Sequence, residues 1–160
     1  MVIEEISEVN MARKELLIVT GATGGLGKEI SMYFTALAAN DKGLYPILCC
    51  RNKDRAEELR GCVESLGLLR NDYAIFLTDL SSSSSVDELA TRIKSLNLPI
   101  RVLVNNAGSM FGSYQTNAEG IEMNMAVNFY APARLAEMLA SIVAHKGSIV
   151  NVVSLTRKHV

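Results

Sequence analysis

Short apolar runs alternate with longer, more polar stretches along the chain. Five runs are rich in β-branched residues and apolar throughout, a pattern typical of strands that are buried on both faces of a parallel sheet. These runs cover residues 16–20, 45–50, 73–78, 102–105 and 148–153. The stretches between them have the composition, length or apolar spacing of helices. The predicted helices cover residues 26–39, 54–66, 86–96 and 119–143.

This regular alternation predicts an α/β fold. We expect a Rossmann-type, doubly wound parallel sheet of about five strands, joined by right-handed crossovers. A chain of 160 residues has the size of one domain. We assign residues 15–160 to that domain and residues 1–14 to an acidic N-terminal arm and lead-in.

Two polar features are assigned to helix ends. Five consecutive serines occupy positions 81–85, and Ser84 or Ser85 is predicted to cap the helix that begins near Val86. A phosphorylation site or a linker is the alternative interpretation of this run. His145 is predicted near the carboxyl end of the long helix, where the helix dipole favours a cation.

Charge and composition argue against several classes of protein. The chain has 16 basic and 17 acidic side chains, so it lacks the basic excess of a general nucleic-acid binder. No apolar run approaches the roughly 18 residues that span a bilayer, and the acidic N-terminus lacks the apolar core of a secretory signal. Cys49, Cys50 and Cys62 have no metal-ligand spacing, and we interpret them as small apolar fillers. We therefore expect a cytoplasmic protein without a membrane span or a metal site.

The segment T-G-A-T-G-G-L-G, residues 20–27, joins the first predicted strand to the first predicted helix. Gly21 permits a tight turn out of the strand, Gly25 lets the backbone approach a pyrophosphate, and Gly27 lets the helix pack closely. The helix would then present unpaired N–H groups and the positive end of its dipole to the phosphates. The segment lacks the Gly-Lys-Ser/Thr ending of a Walker loop, and in this context it predicts dinucleotide binding.

The spacing T-G-x-x-x-G-x-G resembles that of the short-chain dehydrogenase/reductase family, and further motifs follow in the family's order. Asp79-Leu80 follows the third strand, N-N-A-G at 105–108 follows the fourth, Asn128 stands in the long helix, and S-I-V-N-V-V-S ends at Ser154. The resemblance implies cofactor contacts by Gly21, Thr23, Gly24, Gly25, Leu26, Gly27, Arg51, Asn52, Asp79, Leu80, Asn106, Ala107 and Gly108.

The resemblance also implies roles in catalysis. Ser154 would orient a substrate carbonyl, and Asn128 would support a water that relays protons. Structural alternatives remain open for three residues of the motifs. Asp79 has the alternative of a turn or capping aspartate, and Asn106 that of a structural hydrogen-bonding residue, which can coexist with cofactor contact. Asn128 taken alone is a polar residue within a helix, and only its register with the other motifs favours the catalytic role.

The end of the second strand bears on the choice of cofactor. An acidic residue there would bond the ribose 2′-hydroxyl, whereas a basic residue would accommodate a 2′-phosphate. In the family's register Cys50 takes the acidic position and Arg51 follows it. Arginine forms charge-assisted bonds to phosphate, so NADP(H) is favoured over NAD(H). In the alternative interpretation, Arg51 simply begins the solvated face of the next helix.

Two segments resemble one branch of the family, the retinol-dehydrogenase-like and protochlorophyllide-reductase-like enzymes. They are the C-R-N sequence at 50–52 and G-I-E-M-N-M-A-V-N at 120–128. This resemblance implies a lipophilic carbonyl or alcohol as the small-molecule substrate. The chain departs from the branch at F-Y-A-P, residues 129–132, where the branch usually has histidine, leucine and glycine.

The family's acid/base motif, Y-x-x-x-K, does not occur in these 160 residues. In the family's register it falls just beyond Val160, so the resemblance covers the cofactor-binding half and the serine strand. Two functions stay open: an oxidoreductase moving hydride between NADP(H) and a carbonyl or alcohol, and a non-catalytic module that binds NADP(H) or a partner. The apolar last strand, at an open sheet edge, also predicts self-association.

Overall fold

The computed structural model describes residues 14–154 and contains one five-stranded sheet of order β3-β2-β1-β4-β5. Every strand pair in it is parallel, so the predicted fold class is confirmed. The strands are β1 (Glu15–Thr20), β2 (Leu44–Cys50), β3 (Ala74–Leu77), β4 (Ile100–Asn105) and β5 (Val143–Asn151). The helices are α1 (Gly25–Asn40), α2 (Lys53–Ser65), α3 (Ser83–Ser95), α4 (Met123–Met125) and α5 (Ala131–Leu139). The predicted N-terminal arm lies outside the described residues, except for Lys14.

The central strand explains why the apolar runs are continuous. Leu16 and Ile18 belong to the core under α3 and α5, whereas Leu17 and Val19 belong to the core under α1 and α2. Successive side chains of a strand point to opposite faces, so a strand covered on both sides has no polar position. The strand order reverses direction at β1, because the chain first winds towards β3 and then crosses to β4. That switch point opens a crevice at the carboxyl ends of the strands.

The long predicted helix begins later than its composition indicated. Residues 117–122 form a turn, in which the Asn117 N–H donates to the Ile121 carbonyl at 2.8 Å and Gly120 has a φ of 79°. Glu122 then caps α4, since its carboxylate accepts from the Met125 N–H at 2.9 Å. Hydrogen bonds from the backbone N–H groups of Asn124 and Met125 lower the pKa of Glu122, and the bond from Asn124 contributes most. The predicted start at residue 119 is therefore wrong.

Between α4 and α5 the chain winds as a π-helix, Ala126–Tyr130. The Ala131 N–H donates five residues back, to the carbonyl of Ala126. Pro132 has no N–H, so the carbonyl of Asn128 loses the donor that an α-helix would supply four residues on. A single π-helical turn inside a helix often marks a functional position.

The last strand starts earlier and ends earlier than predicted. It covers Val143–Asn151, so His145 lies in the strand and not at a helix end, and Val153 lies beyond it. The pairing slips, because Ile100 pairs with Val143 whereas Val102 pairs with Ser148. This slip brings residue 147 so close to β4 that a Cβ there would lie 2.4 Å from the Ile100 carbonyl oxygen. Glycine is thus required inside a bulge that the apolar pattern did not indicate.

The serine run caps α3 through a different residue than predicted. Ser82 is the N-cap, and its hydroxyl accepts from the Ser85 N–H. The Ser85 hydroxyl instead accepts from the Asp79 N–H at 2.9 Å. Ser83 is bonded through its N–H and hydroxyl to the carboxylate of Glu119. The run thereby ties the start of α3 to two neighbouring loops.

An ion pair between Arg134 on α5 and Asp87 on α3 generates the first prediction. Nε of Arg134 donates to Oδ1 of Asp87, and Nη2 of Arg134 donates to Oδ2. Hydrogen bonding by Arg134 lowers the pKa of Asp87. A lowered pKa in the folded state stabilises the fold above the unfolded value of about 4, and this contribution is lost as the pH falls through the folded value. Asp87→Asn should lower the urea midpoint at pH 7, by an amount that shrinks as the pH drops below about 4.

Glu88 provides the matched control, since it is the next acidic residue on α3 and forms no ion pair within residues 14–154. Glu88→Gln should leave the midpoint nearly unchanged at both pH values. A deficit of Asp87→Asn that stayed constant from pH 7 to pH 3 would contradict an ionic contribution.

Candidate functional site

A cleft of about 480 Å³ lies at the switch point of the sheet, along the carboxyl ends of β1, β2, β3 and β4. All of the predicted cofactor-binding residues line it except Gly25 and Gly27. The predicted residues in the cleft wall are Gly21, Thr23, Gly24, Leu26, Arg51, Asn52, Asp79, Leu80, Asn106, Ala107 and Gly108. The fold therefore gathers four separate sequence motifs around one crevice.

Hydrogen bonds join the ends of β1 and β4 beneath the cleft. The buried hydroxyl of Thr20 accepts from the N–H groups of Asn106 and Ala107, at 3.1 and 3.0 Å. The Asn106 side chain donates to the Thr20 carbonyl at 3.0 Å. Asn106 thus has the structural role that the sequence left open for it. Sequence analysis assigned no role to Thr20. Its position, a hydroxyl residue at the end of a buried strand, was the available signal.

The glycine loop packs against this junction. Gly21 has a φ of 69°, and a Cβ there would lie 2.9 Å from the Cα of Ala107. A Cβ at residue 27 would lie 2.1 Å from the Gly21 carbonyl oxygen. The buried hydroxyl of Ser31, one turn further along α1, lies 3.0 Å from the Ala22 carbonyl oxygen and holds the loop to the helix. Sequence analysis missed Ser31, which stands four residues after the last glycine.

The amino end of α1 faces the cleft without a side-chain cap. Gly24 occupies the N-cap, and the first turn contains no acidic residue. The first main-chain N–H to bond inside the helix is that of Lys28, to the Gly24 carbonyl. The preceding N–H groups and the helix dipole therefore make this end suitable for a phosphate.

The end of β2 carries arginine beside neutral thiols. Burial raises the pKa of Cys50 to about 11, and burial together with Cys50 raises the pKa of Cys49 further, against a smaller lowering by Arg92. Both thiols are therefore uncharged at pH 7. Arg55, in the first turn of α2, also lines the cleft and was missed by sequence analysis. Its spacing of four residues from Arg51 was the available signal.

Asp79 serves as a turn residue at the end of β3. Its Oδ1 accepts from the N–H of Ser81 at 3.0 Å and from the Ser81 hydroxyl at 2.8 Å. This agrees with the structural alternative for Asp79, which also contributes to the wall of the cleft.

The side chain of Asn128 fastens the loop that follows β4. Its Nδ2 donates to the Ser109 carbonyl at 2.7 Å, and its Oδ1 accepts from the Ser109 N–H at 2.9 Å. Asn124, one turn earlier, accepts from the Phe111 N–H at 2.9 Å in the same manner. Asn124 was missed by sequence analysis, although its spacing from Asn128 places both on one helix face.

A hydrogen bond between two asparagine side chains joins the end of β4 to the end of β5, the strand that precedes Ser154. Asn105 donates from Nδ2 to the Asn151 side chain at 2.9 Å, and the Asn105 carbonyl accepts from Val152. Ser154 follows as an exposed residue and has no hydrogen bond to another residue within 14–154. The structure therefore brings Asn128 to the cleft loop but records no contact between Asn128 and Ser154.

Fold and site together define a Rossmann-type domain with a glycine loop at its switch point. The family model described as short chain dehydrogenase matches residues 15–159. The chain belongs to this family, as the sequence motifs predicted. Within the described residues no helix is long and apolar enough to cross a membrane.

Individual relatives show the extent of the similarity. The chain is 30% identical over 132 residues to the polyprenol dehydrogenase of Homo sapiens, a match covering 82% of this chain and 38% of that protein. It is 33% identical over 123 residues to human retinol dehydrogenase 13, covering 77% and 35%. A metagenomic short-chain oxidoreductase solved in complex with NADP has a TM-score of 0.70 and 26% identity, covering 92% of this chain and 65% of that one. The chain spans roughly two fifths of the length of the curated relatives it matches.

The closest approach in the glycine loop gives the second prediction. Gly27→Ala places a methyl group against the Gly21 carbonyl, and overpacking of this kind costs about 1–3 kcal/mol or more. Urea unfolding should show a loss of stability of at least that size. Gly61→Ala is the matched control, because Gly61 lies inside α2 with open space around a Cβ. That control should gain roughly 0.5–1 kcal/mol, and equal effects of the two substitutions would contradict the steric account.

Proposed function

We propose that this chain forms the cofactor-binding portion of an oxidoreductase that transfers hydride between NADP(H) and a carbonyl or alcohol. The observation that carries the proposal is the cleft at the switch point, where the glycine loop, the uncapped end of α1 and Arg51 meet. These groups match the phosphates of a dinucleotide in both charge and position along the sheet. Bound NADP(H) would supply or accept the hydride.

Each wall of the cleft suits a different part of the cofactor. The pyrophosphate would lie at the start of α1, against Gly24 and Leu26, whose backbone carries the free N–H groups. The adenine side would contact Asp79 and Leu80, and Arg51 would bind a 2′-phosphate. Asn106, Ala107 and Gly108 would flank the nicotinamide half. Thr23, Gly25, Gly27 and Asn52 would complete the set by shaping the loop and the start of α2.

Two residues would act at the reacting end. Ser154 would orient the substrate oxygen, and Asn128 would support a proton-relay water while its side chain holds Ser109. The carbonyl of Asn128 lacks its α-helical donor because Pro132 stands four residues on, so it has capacity to accept from a water. The substrate is proposed to be lipophilic, since relatives are named for polyprenol and retinol.

A non-catalytic module that binds NADP(H) or a partner is the second candidate. It is favoured by the absence of a hydrogen bond between Ser154 and any other residue within 14–154. Both functions share the same cofactor site. They differ in whether NADPH is oxidised when a carbonyl is supplied. For either function we propose a cytoplasmic location and no nucleic-acid partner.

Nucleotide titration tests the cofactor site directly. The chain should bind NADPH more tightly than NADH. Binding is measured by the change in nucleotide fluorescence and by the rise in the melting temperature of the protein. A ligand at 100 times its Kd stabilises the fold by about 2.7 kcal/mol when only the folded state binds. Arg51→Asp should abolish the preference for NADPH, because it repels the 2′-phosphate. The absence of binding by either nucleotide would contradict the proposal.

We also propose self-association through β5, which forms one edge of the sheet, carries the exposed Val150 and is followed by the exposed Val152. Light scattering during size-exclusion chromatography should show a mass that rises with concentration. Val150→Lys should shift the chain towards monomer, since lysine blocks edge pairing. Leu77→Lys, at the opposite edge on β3, is the control and should leave the mass unchanged. A monomer at all concentrations would overturn this part.

A further inference from the structure

The loop between β4 and α4 is joined at two points to the amino end of α3. Nδ2 of Asn117 donates to the carbonyl of Ser81 at 2.7 Å. The carboxylate of Glu119 accepts from both the hydroxyl and the N–H of Ser83, the latter at 3.0 Å. The two partners of each contact are 36 residues apart in the sequence. Residues 113–122, which we call the strap, therefore connect the loop after β4 to the helix that follows β3.

The strap is a folded segment with its own hydrogen bonds. Oδ1 of Asn117 accepts from the N–H groups of Glu119 and Ile121, at 3.0 and 2.9 Å. Thr116 forms an isolated antiparallel bridge with Glu122, the residue that caps α4. Because these bonds close the turn, the contacts with α3 determine where α4 begins.

The two ends of this connection both reach the cofactor cleft. At one end, Ser81 bonds the carboxylate of Asp79, which lines the cleft on the side proposed for adenine. At the other end, the strap leads into α4 and the π-helical turn, where Asn128 bonds both main-chain polar groups of Ser109. Ser109 also lines the cleft, directly after Gly108 in the wall proposed for the nicotinamide half. The strap therefore links the two walls.

Hydrogen bonds, and not burial, hold the strap in place. No residue of the strap is buried, and Tyr114 is 81% exposed. Packing of apolar surface therefore contributes little to its position. Segments with few buried contacts open at a low cost in free energy, so their position depends strongly on individual polar contacts. The bonds from Asn117 and Glu119 to α3 are contacts of this kind.

We infer that Asn117 and Glu119 are positioning residues for hydride transfer, because they fix the strap to α3 and thereby hold the wall at Gly108 and Ser109 beside the nicotinamide half of NADP(H). The inference rests on the proposed function and extends it to two residues outside the cleft wall. A displacement of about 1 Å at a reacting centre can lower the rate about 100-fold. An exposed loop beside the nicotinamide ring therefore needs anchors of this kind.

Substitution of Glu119 tests the inference on the chain itself. Glu119→Ala removes both bonds to Ser83. Glu119→Gln keeps an acceptor for the N–H and supplies a donor to the hydroxyl oxygen. Glu88→Ala is the matched control, since Glu88 is an exposed glutamate further along α3. Dissociation constants should be measured for NADPH and for 2′,5′-ADP, which lacks the nicotinamide half.

The two nucleotides should respond differently. Glu119→Ala should weaken NADPH binding roughly 3- to 10-fold, the effect of a lost hydrogen bond. The fluorescence of bound NADPH should shift towards that of free NADPH, because the surroundings of the ring change. Binding of 2′,5′-ADP should change less than about twofold, as expected for independent sites, since Asp79 keeps its bonds to Ser81 and Ser85. Glu119→Gln should restore most of the affinity for NADPH, and Glu88→Ala should equal wild type.

Hydrogen exchange of the free protein gives an independent measurement. In Glu119→Ala the amide protons of Ser109 and Phe111 should exchange faster than in wild type. These N–H groups donate to Asn128 and Asn124, so their exchange reports on the far end of the strap. Loss of a helix cap alone would not change them.

Asn117→Asp tests the other contact with α3. The new carboxylate still accepts from the N–H groups of Glu119 and Ile121, but it cannot donate to the Ser81 carbonyl. This variant should increase exchange at Ser109 and weaken NADPH binding in the same way as Glu119→Ala.

The outcomes distinguish this inference from the function on which it rests. Faster exchange at Ser83 alone, with NADPH affinity unchanged, would overturn the inference and leave Glu119 as a cap of α3. Equal weakening of NADPH and 2′,5′-ADP would also overturn it, since that result indicates a general structural role. Either result leaves the proposed function intact when the wild type binds NADPH. A wild type that binds neither nucleotide would overturn both.

Discussion

The junction between β1 and β4 is the constraint on which the rest of the site depends. Thr20 accepts two backbone N–H groups from the start of the loop after β4, and Asn106 returns a bond to the Thr20 carbonyl. These bonds satisfy backbone groups that would otherwise be left unpaired where two strands end. They also bring the chain so close that only glycine fits at position 21. The turn out of β1, and with it the start of α1, follows from this contact.

The charged groups of the cleft lie around the junction of β1 and β4. The free N–H groups of α1 supply partial positive charge at one wall, and the arginines before and within α2 supply full charge at another. The thiols at the end of β2 contribute no negative charge at pH 7, since burial raises the pKa of both. The only described carboxylate in the wall is that of Asp79, which is partly engaged by Ser81. The cleft is therefore suited to anions along most of its length.

Sequence pattern predicted the sheet well because β1 to β4 each contain a continuous apolar run bounded by polar residues. It failed where a local choice depends on tertiary contacts. The helix start at 123 is set by the turn at Asn117 and Gly120, and the early start of β5 depends on a bulge that requires glycine at 147. The site followed the same rule. Contiguous motifs contain most of the residues that line the cleft. Arg55 stands outside those motifs, and its place in the cleft wall becomes evident only from the fold.

The two ends of the cleft depend on different parts of the chain. The phosphate end is built by β1, α1, β2 and α2, which are held together by a shared core and by the junction at Thr20. The reacting end depends on the loop after β4, which the side chains of Asn124 and Asn128 fasten to the segment around the π-helical turn. These amides bond main-chain groups of residues 109 and 111, whereas the junction at Thr20 holds residues 106 and 107 of the same loop. The two ends of the cleft are thus positioned by different contacts, which meet in the one loop that follows β4.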